Sequence, residues 1–522
     1  MRRFIPILAV FMLACQALTP RAGNEVHSRT LSVVRAASRA ELLAQDETTP
    51  YPPPFTSREQ STDLGQTGAS TKTSADVSTF TVQYHPDGPL YVGDLVSMEI
   101  IAPQGLDLEH SEVRVSVEQA SIGELGSAKF GAFGIGGRYQ ATLSWVWDTQ
   151  ELEPGEYALT IEVKPGVAAW TEEVVLLPEN RQPLPEPGAH WESVQIDCCV
   201  VHYISGTPAA RDIAELLEVA EVQSLSASQG LEHAFEEPVQ ITILPRVLGH
   251  GGFASHEIHV SYLDRNYANS NFSQVLQHEM VHILDGRLGG ELRPSLFVEG
   301  LAVYLTGGHY KREPLLSRAA VLLDLGWYLP LGPLADDFYH AQHEVGYLQA
   351  GALIQYMVRT WGWEAFSEFY RDIHPHESGE QSQAIDTALR AHFGLTFEQL
   401  ERRFVSELQR QHINPDLYDD VRLVVSYYET VRRYQQVLDP SAYFLTAWLP
   451  EGSEMREREL VADYLRRPSN KENIVLEGFI MEAGHHLKSG DFGQAERILS
   501  MVNEMLDKYN QADLNLPLPQ GS

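Results

Sequence analysis

The sequence predicts a multidomain chain: a β-sandwich, then an α+β domain, then an α-helical C-terminal region. Three observations carry that expectation. Strand-like runs separated by turn residues recur between 76 and 180, strands and amphipathic helices mix from 195 to 410 around the string QHEMVHIL, and helical periodicity takes over beyond 411. A chain of 522 residues has room for such a division.

Residues 1–15 read as an export segment. Arg2 and Arg3 precede an apolar run from Phe4 to Ala14, which is too short to span a bilayer stably. Met12-Leu13-Ala14-Cys15 resembles a bacterial lipoprotein box, with Met12 at the usual leucine position. The expectation is an exported bacterial protein, either a cell-surface lipoprotein with a lipid anchor at Cys15 or an ordinary secreted one. Residues 16–75, with TPYPPPF and STDLGQTGASTKTS, are rich in Ser, Thr, Pro and Gln and read as a disordered tether.

From 76 to 180 the runs STFTVQYHP, LYVGDLVSMEII, SEVRVSVEQ, RYQATLSWVW, GEYALTIEV and WTEEVVLL have the spacing of sandwich strands. The stretch VWDTQELEPGEYALTIEV resembles the closing strands of immunoglobulin-like modules of bacterial surface proteins. That resemblance implies a docking module or a passive spacer. Residues 181–194, within and after LPENRQPLPEPG, read as a linker.

In the domain expected over 195–410, VQIDCCVVHYI reads as one buried strand and ARDIAELLEVAEVQSLSASQGL as an amphipathic helix. VQITILP and EIHVSYL supply further strands. Cys198 and Cys199 would face opposite sides of a strand, so they read as two reduced, mostly buried thiols. Asn271 or Ser270 can cap a helix from Phe272 to Asp285-Gly286. Pro294 and Ser295 open a second that ends at Gly307-Gly308.

The chemistry lies on those two helices. Residues four apart on a helix differ by about 40° in azimuth, so His278 and His282 share one face and can grip one ion. Glu299, on the second helix, can supply a third ligand if the helices are antiparallel neighbours. Glu279 stays free to move protons. That set matches a Zn2+ hydrolase centre with a position left for water.

Three stretches, QHEMVHIL, PSLFVEGLAVYL and YLQAGALIQYMVRTWG, resemble the gluzincin zinc metallopeptidases, in particular the bacterial peptidase MA-like domains. The resemblance covers about Ile196 to Leu408. It implies a zincin-like fold, zinc on His278, His282 and Glu299, and Glu279 activating water. The chain has Val303 where thermolysin-like members carry an aspartate. In gluzincin aminopeptidases a glutamate on an edge strand holds the substrate amine. Here GHGGFASHEIHVS puts Ala254 and Ser255 at the matching places, leaving Glu257 as a substitute. Endopeptidase action on a peptide or protein substrate is therefore expected, with an aminopeptidase as an alternative. Tyr347 is the expected donor to the oxyanion, in competition with Tyr339, His340 and His343.

Beyond 411, LYDDVRLVVSYYETVRRYQQVL and ENIVLEGFIMEAGHHLKSGDFGQAERILSMVNEML read as helices without a sustained repeat. The net charge of −33 argues against nucleic acid as a partner, since phosphates need a basic surface. A second functional class remains open: a metallopeptidase-like surface protein that binds a partner with little or no hydrolysis. Glu279 argues for activity, because pure binding has no use for a base beside the ion.

Overall fold

Alternating burial marks some strands of the first module, while Leu95–Ile101 has Val96–Ile100 buried in succession. In Gly155–Lys164, Tyr157, Leu159, Ile161 and Val163 point inward while their neighbours are half-buried. The computed structural model describes residues 80–118 and 123–515. The expected export segment, Cys15 and the tether of 16–75 lie outside the described residues. Two sheets form around a shared core. One runs Thr81–His85, Leu95–Ile101, Arg138–Asp148, Gly131–Phe133, all antiparallel. The other orders Leu90–Tyr91, Ala168–Leu177, Gly155–Lys164, Glu112–Val117, Gly123–Lys129. Val96, Met98, Ile100, Val113, Val115, Trp147 and Ile161 meet between them, each fully buried.

A third sheet carries the next part of the chain, in the order Trp191–Gln195, Cys199–Ile204, Val239–Leu244, Ile258–Ser261, Gly252–Ala254. Its two inner pairings are parallel and its two outer ones antiparallel. The helix Ile213–Leu231 makes the crossover between the first parallel pair and buries Leu216, Ala220, Ala227 and Leu231. From Ser295 onward the described chain is helical. Phe297, Leu301, Leu348, Leu353, Phe366, Leu389 and Leu400 join the sheet residues in one apolar core.

Two expectations are corrected here. VQIDCCVVHYI is not one strand: it turns at Asp197–Cys198, so Trp191–Gln195 and Cys199–Ile204 form a hairpin. Cys198 therefore lies in the turn, where strand alternation does not apply, and the two cysteines are joined as a disulfide. The linker expected over 181–194 also runs into the sheet at Trp191, and its Glu186 is buried.

The C-terminal helices do not stand apart. Asp416–Leu438 places Val421 and Val425 in the core of the preceding domain, while Tyr427 and Tyr434 pack with Ile480, Leu487 and Val502 of the last two helices. The segment between them, residues 439–467, returns to the first module. Arg466 donates to both carboxylate oxygens of Asp94 at 2.6 and 2.7 Å and to Glu186 at 2.8 Å, with all three side chains buried. Arg246 donates to Asp87 at 2.9 Å and Ser441 at 2.6 Å. The His85 ring stacks on Trp448 at 4.0 Å. Leu445 accepts a bond from the Gly136 amide at 2.7 Å, and a Cβ on neighbouring Gly134 would run into the Leu445 carbonyl, so only glycine lets these backbones approach.

Removing one side of a buried, hydrogen-bonded ion pair leaves the other charge without water or partner. Arg466→Ala is expected to lower unfolding stability by about 3–5 kcal/mol. Urea unfolding followed by fluorescence checks this.

Candidate active site

Local sequence sets the two helices that meet at the site. The Asn271 side chain accepts from the Gln274 amide and opens Phe272–Leu288, which ends at Gly289, one turn beyond the expected stop. Pro294 precedes Ser295–Thr306, and Gly307 closes it in the left-handed conformation. Arg293, in the short connection, donates to buried Asp285 at 2.9 and 2.6 Å, and the Tyr370 hydroxyl adds a bond at 2.9 Å. That clamp ties the start of the second helix to the end of the first.

Glu299 is then pressed inward by a third helix, His343–Trp361. A Cβ on Gly300 would come within 2.8 Å of the Ala350 carbonyl oxygen, and one on Gly351 would run into Val303. The two backbones can only cross this closely because both positions lack a side chain. Val303 is fully buried in this crossing.

The result is convergence. Glu299 Oε2 lies 3.3 Å from His278 Nε2 and 3.2 Å from His282 Nε2, and donor atoms of the three residues all fall within 4.8 Å of one another. Bonds of about 2.0–2.1 Å in a tetrahedral array put neighbouring donor atoms about 3.3–3.4 Å apart, which the two distances to Glu299 match. Tyr339 donates to the other Glu299 oxygen at 2.7 Å and fixes its orientation. Glu279 is buried beside the trio without belonging to it.

Electrostatics separates the roles. Burial would depress His282, but Glu299, with help from Glu279 and Asp285, pushes it up to about 9. Burial holds His278 down to about 4 against the pull of Glu299. Burial also opposes ionisation of Glu299, yet His282 and His278 keep it well below the usual carboxylate range. Glu279 has no such partner: burial, with the Glu299 charge adding and His282 opposing, raises it to about 7. A carboxyl poised there both takes and returns protons near neutral pH. A proton on His282 and a cation at the trio compete for the same lone pair.

Two recesses open on the motif helix. One reaches Gln274, Val275, His278 and Glu279, the other His282, Ile283, Gly286 and Arg287. The edge strand spans both, with Gly252 in the first and Ala254 in the second.

The remaining expected residues fall out differently. Tyr347 is buried with its ring 6.3 Å from that of His278, and burial, then Glu299, keeps its hydroxyl protonated. His340 is exposed and pairs with Asp337 at 2.6 Å, outside both recesses. His343 stacks on His250 at 3.9 Å. Glu257 is buried against His259 at 2.9 Å and Arg456 at 2.8 Å; burial opposes its charge, but those partners hold it down to about 2. His309, Tyr428 and Phe444 also line the first recess, and sequence reasoning did not single them out. For His309 a signal existed, since it directly follows the Gly307-Gly308 stop of the ligand helix.

No family model matches this chain, and no curated protein is significantly similar to it.

The His282–Glu299 pair gives the metal-free protein a signed pH dependence. Because the His282 value rises from 6.5 to about 9 on folding, its contribution to stability is full below pH 6.5 and is lost as pH climbs through about 9. Titration of the His282 ring by NMR in metal-free protein is expected to show a midpoint near 9, and Glu299→Gln to bring it down.

Proposed function

We propose that this protein is an exported zinc-dependent peptidase of the gluzincin kind, acting as an endopeptidase. The observation that carries the reading is the meeting of His278, His282 and Glu299 around one cation-sized position, with Glu279 beside it and outside the ligand set. Two neutral imidazoles and a carboxylate are the donor set of a catalytic zinc site, which keeps a position for water. When bound, zinc supplies Lewis-acid polarisation of the scissile carbonyl and acidifies a water towards neutrality.

The protein's own groups do the rest. Glu279 accepts the water proton at its carboxylate and returns it to the leaving amine, a role its position beside the trio and outside the ligand set allows. Tyr339 holds Glu299 in orientation through its 2.7 Å bond. Tyr347, protonated and buried on the His309 side, is the proposed donor to the oxyanion. The Gly252–Ala254 edge strand offers backbone groups for strand addition of an extended peptide, which would cross from one recess to the other.

Endopeptidase action is supported over aminopeptidase action by Glu257. Its carboxylate is spent on His259 and Arg456, so it is a poor counter-charge for a substrate ammonium. The immunoglobulin-like assignment of the first module and a lipid anchor at Cys15 belong to the same reading.

Metal analysis and peptide digestion test it. Purified wild type and Glu279→Gln are expected to hold one zinc per chain, His282→Ala to lose it, and Glu279→Gln to cleave about 10²–10⁴ times more slowly. Equal turnover by wild type and Glu279→Gln would remove Glu279 from the mechanism, and a wild type that retains no metal would overturn the reading.

A further inference from the structure

The recess on the Glu279 side has a wall of an unusual kind. His250 lies flat on His343 at 3.9 Å and 13°, Tyr347 sits 4.4 Å from both His343 and His309, and Tyr428 meets His250 at 4.8 Å. Phe444 closes the cluster at 4.8 Å from His343. These rings share the recess with Ser270, Asn271, Gln274 and Val275.

The polar atoms in that wall are partly unspent. His309 Nδ1 is engaged by Glu344 at 2.9 Å. Both nitrogens of His250 and Nε2 of His343, however, are buried without a hydrogen-bond partner, and His343 is only 4% exposed. Buried polar atoms are seldom left this way unless something else satisfies them. Burial above all holds both histidines well below the usual imidazole range. Each is then neutral near pH 7, with one N–H to give and one lone pair to receive.

We infer that this recess is a selectivity pocket for a substrate side chain that is planar and carries its own hydrogen-bonding group, tyrosine above all. The inference rests on the peptidase reading for its setting. A flat ring fits because the recess is the smaller of the two and the rings of His250, His343, Tyr347, Tyr428 and Phe444 gather on it, facing a ring with ring faces and edges. A phenolic hydroxyl both donates and accepts, which answers neutral imidazoles of either tautomer. A carboxylate would face Glu279 in the lining and Glu344 bonded to His309. An ammonium would face Arg432, whose guanidinium lies 6.0 Å from the Phe444 ring, as well as the proposed cation. An alkyl chain would leave the three nitrogens without a partner.

The probes are extended peptides in which one residue is scanned through a six-position window as Tyr, Phe, Leu, Glu or Lys. Binding is measured by calorimetry to zinc-loaded Glu279→Gln, and cleavage by mass spectrometry with wild type. At one position Tyr is expected to bind at least about tenfold tighter than Phe, Leu, Glu or Lys, the size of a specific side-chain pocket effect. His250→Phe and His343→Phe keep the stacked rings and remove the nitrogens. They are expected to bring Tyr binding down to the Phe level while Phe binding stays unchanged. Five peptides that bind alike at every position, or a Tyr preference that survives both substitutions, would overturn the pocket. A Tyr preference in binding with no cleavage by wild type would leave the pocket standing and remove the peptidase; cleavage without preference would do the reverse.

Discussion

Glu299 is a carboxylate taken out of water and set between two imidazoles, and that placement is what the surrounding helices are arranged to hold. A buried anion persists only when positive charge and hydrogen bonds compensate it. Here the compensation is shared among His282, His278 and the Tyr339 hydroxyl. The same demand makes the trio an attractive seat for a divalent cation, which would replace a single proton with two positive charges. Keeping Glu279 outside the set, buried but unpaired, leaves its carboxylate free for the proposed proton transfer.

That placement depends in turn on how closely helices approach. Gly300 and Gly351 let Ser295–Thr306 and His343–Trp361 cross with backbone nearly against backbone, and the Arg293–Asp285 clamp fixes the angle at which the ligand helix leaves the motif helix. The helix that supplies Gly351 also supplies Tyr347 and His343. One packing contact therefore sets both Glu299 and a wall of the neighbouring recess.

Much of the site was legible because its parts are close in sequence. His278, Glu279 and His282 share one helix, and Glu299 follows on the next, so helical periodicity, an Asn cap and a Pro-Ser start were enough to bring them together. Tyr347 was reached through a resemblance and does lie beside the motif. The rest of the recess was hidden by distance along the chain. Tyr428 and Phe444 come from a region that reads as an independent helical tail, and His250 from a loop ahead of the edge strand. Arg466, Asp94 and Glu186 carry no periodic signal, so as sequence they look like ordinary solvated charges. The Cys198–Cys199 bond is not legible because the hairpin turn reads as uninterrupted strand within VQIDCCVVHYI.

The return of residues 439–467 to the first module has a consequence for how such a chain can change over generations. Tandem modules on flexible tethers can be swapped or lost like beads. This one cannot, because its Asp94, with Glu186 of the segment that follows it, neutralises a guanidinium supplied some 370 and 280 positions later, and its Gly134–Gly136 loop cradles the residue next to Phe444. Insertions that lengthen surface loops would be tolerated, but exchange of the whole module would strand a buried cation and loosen a wall of the recess. Inheritance should therefore treat the amino-terminal sheets and the carboxy-terminal coil as a single indivisible unit.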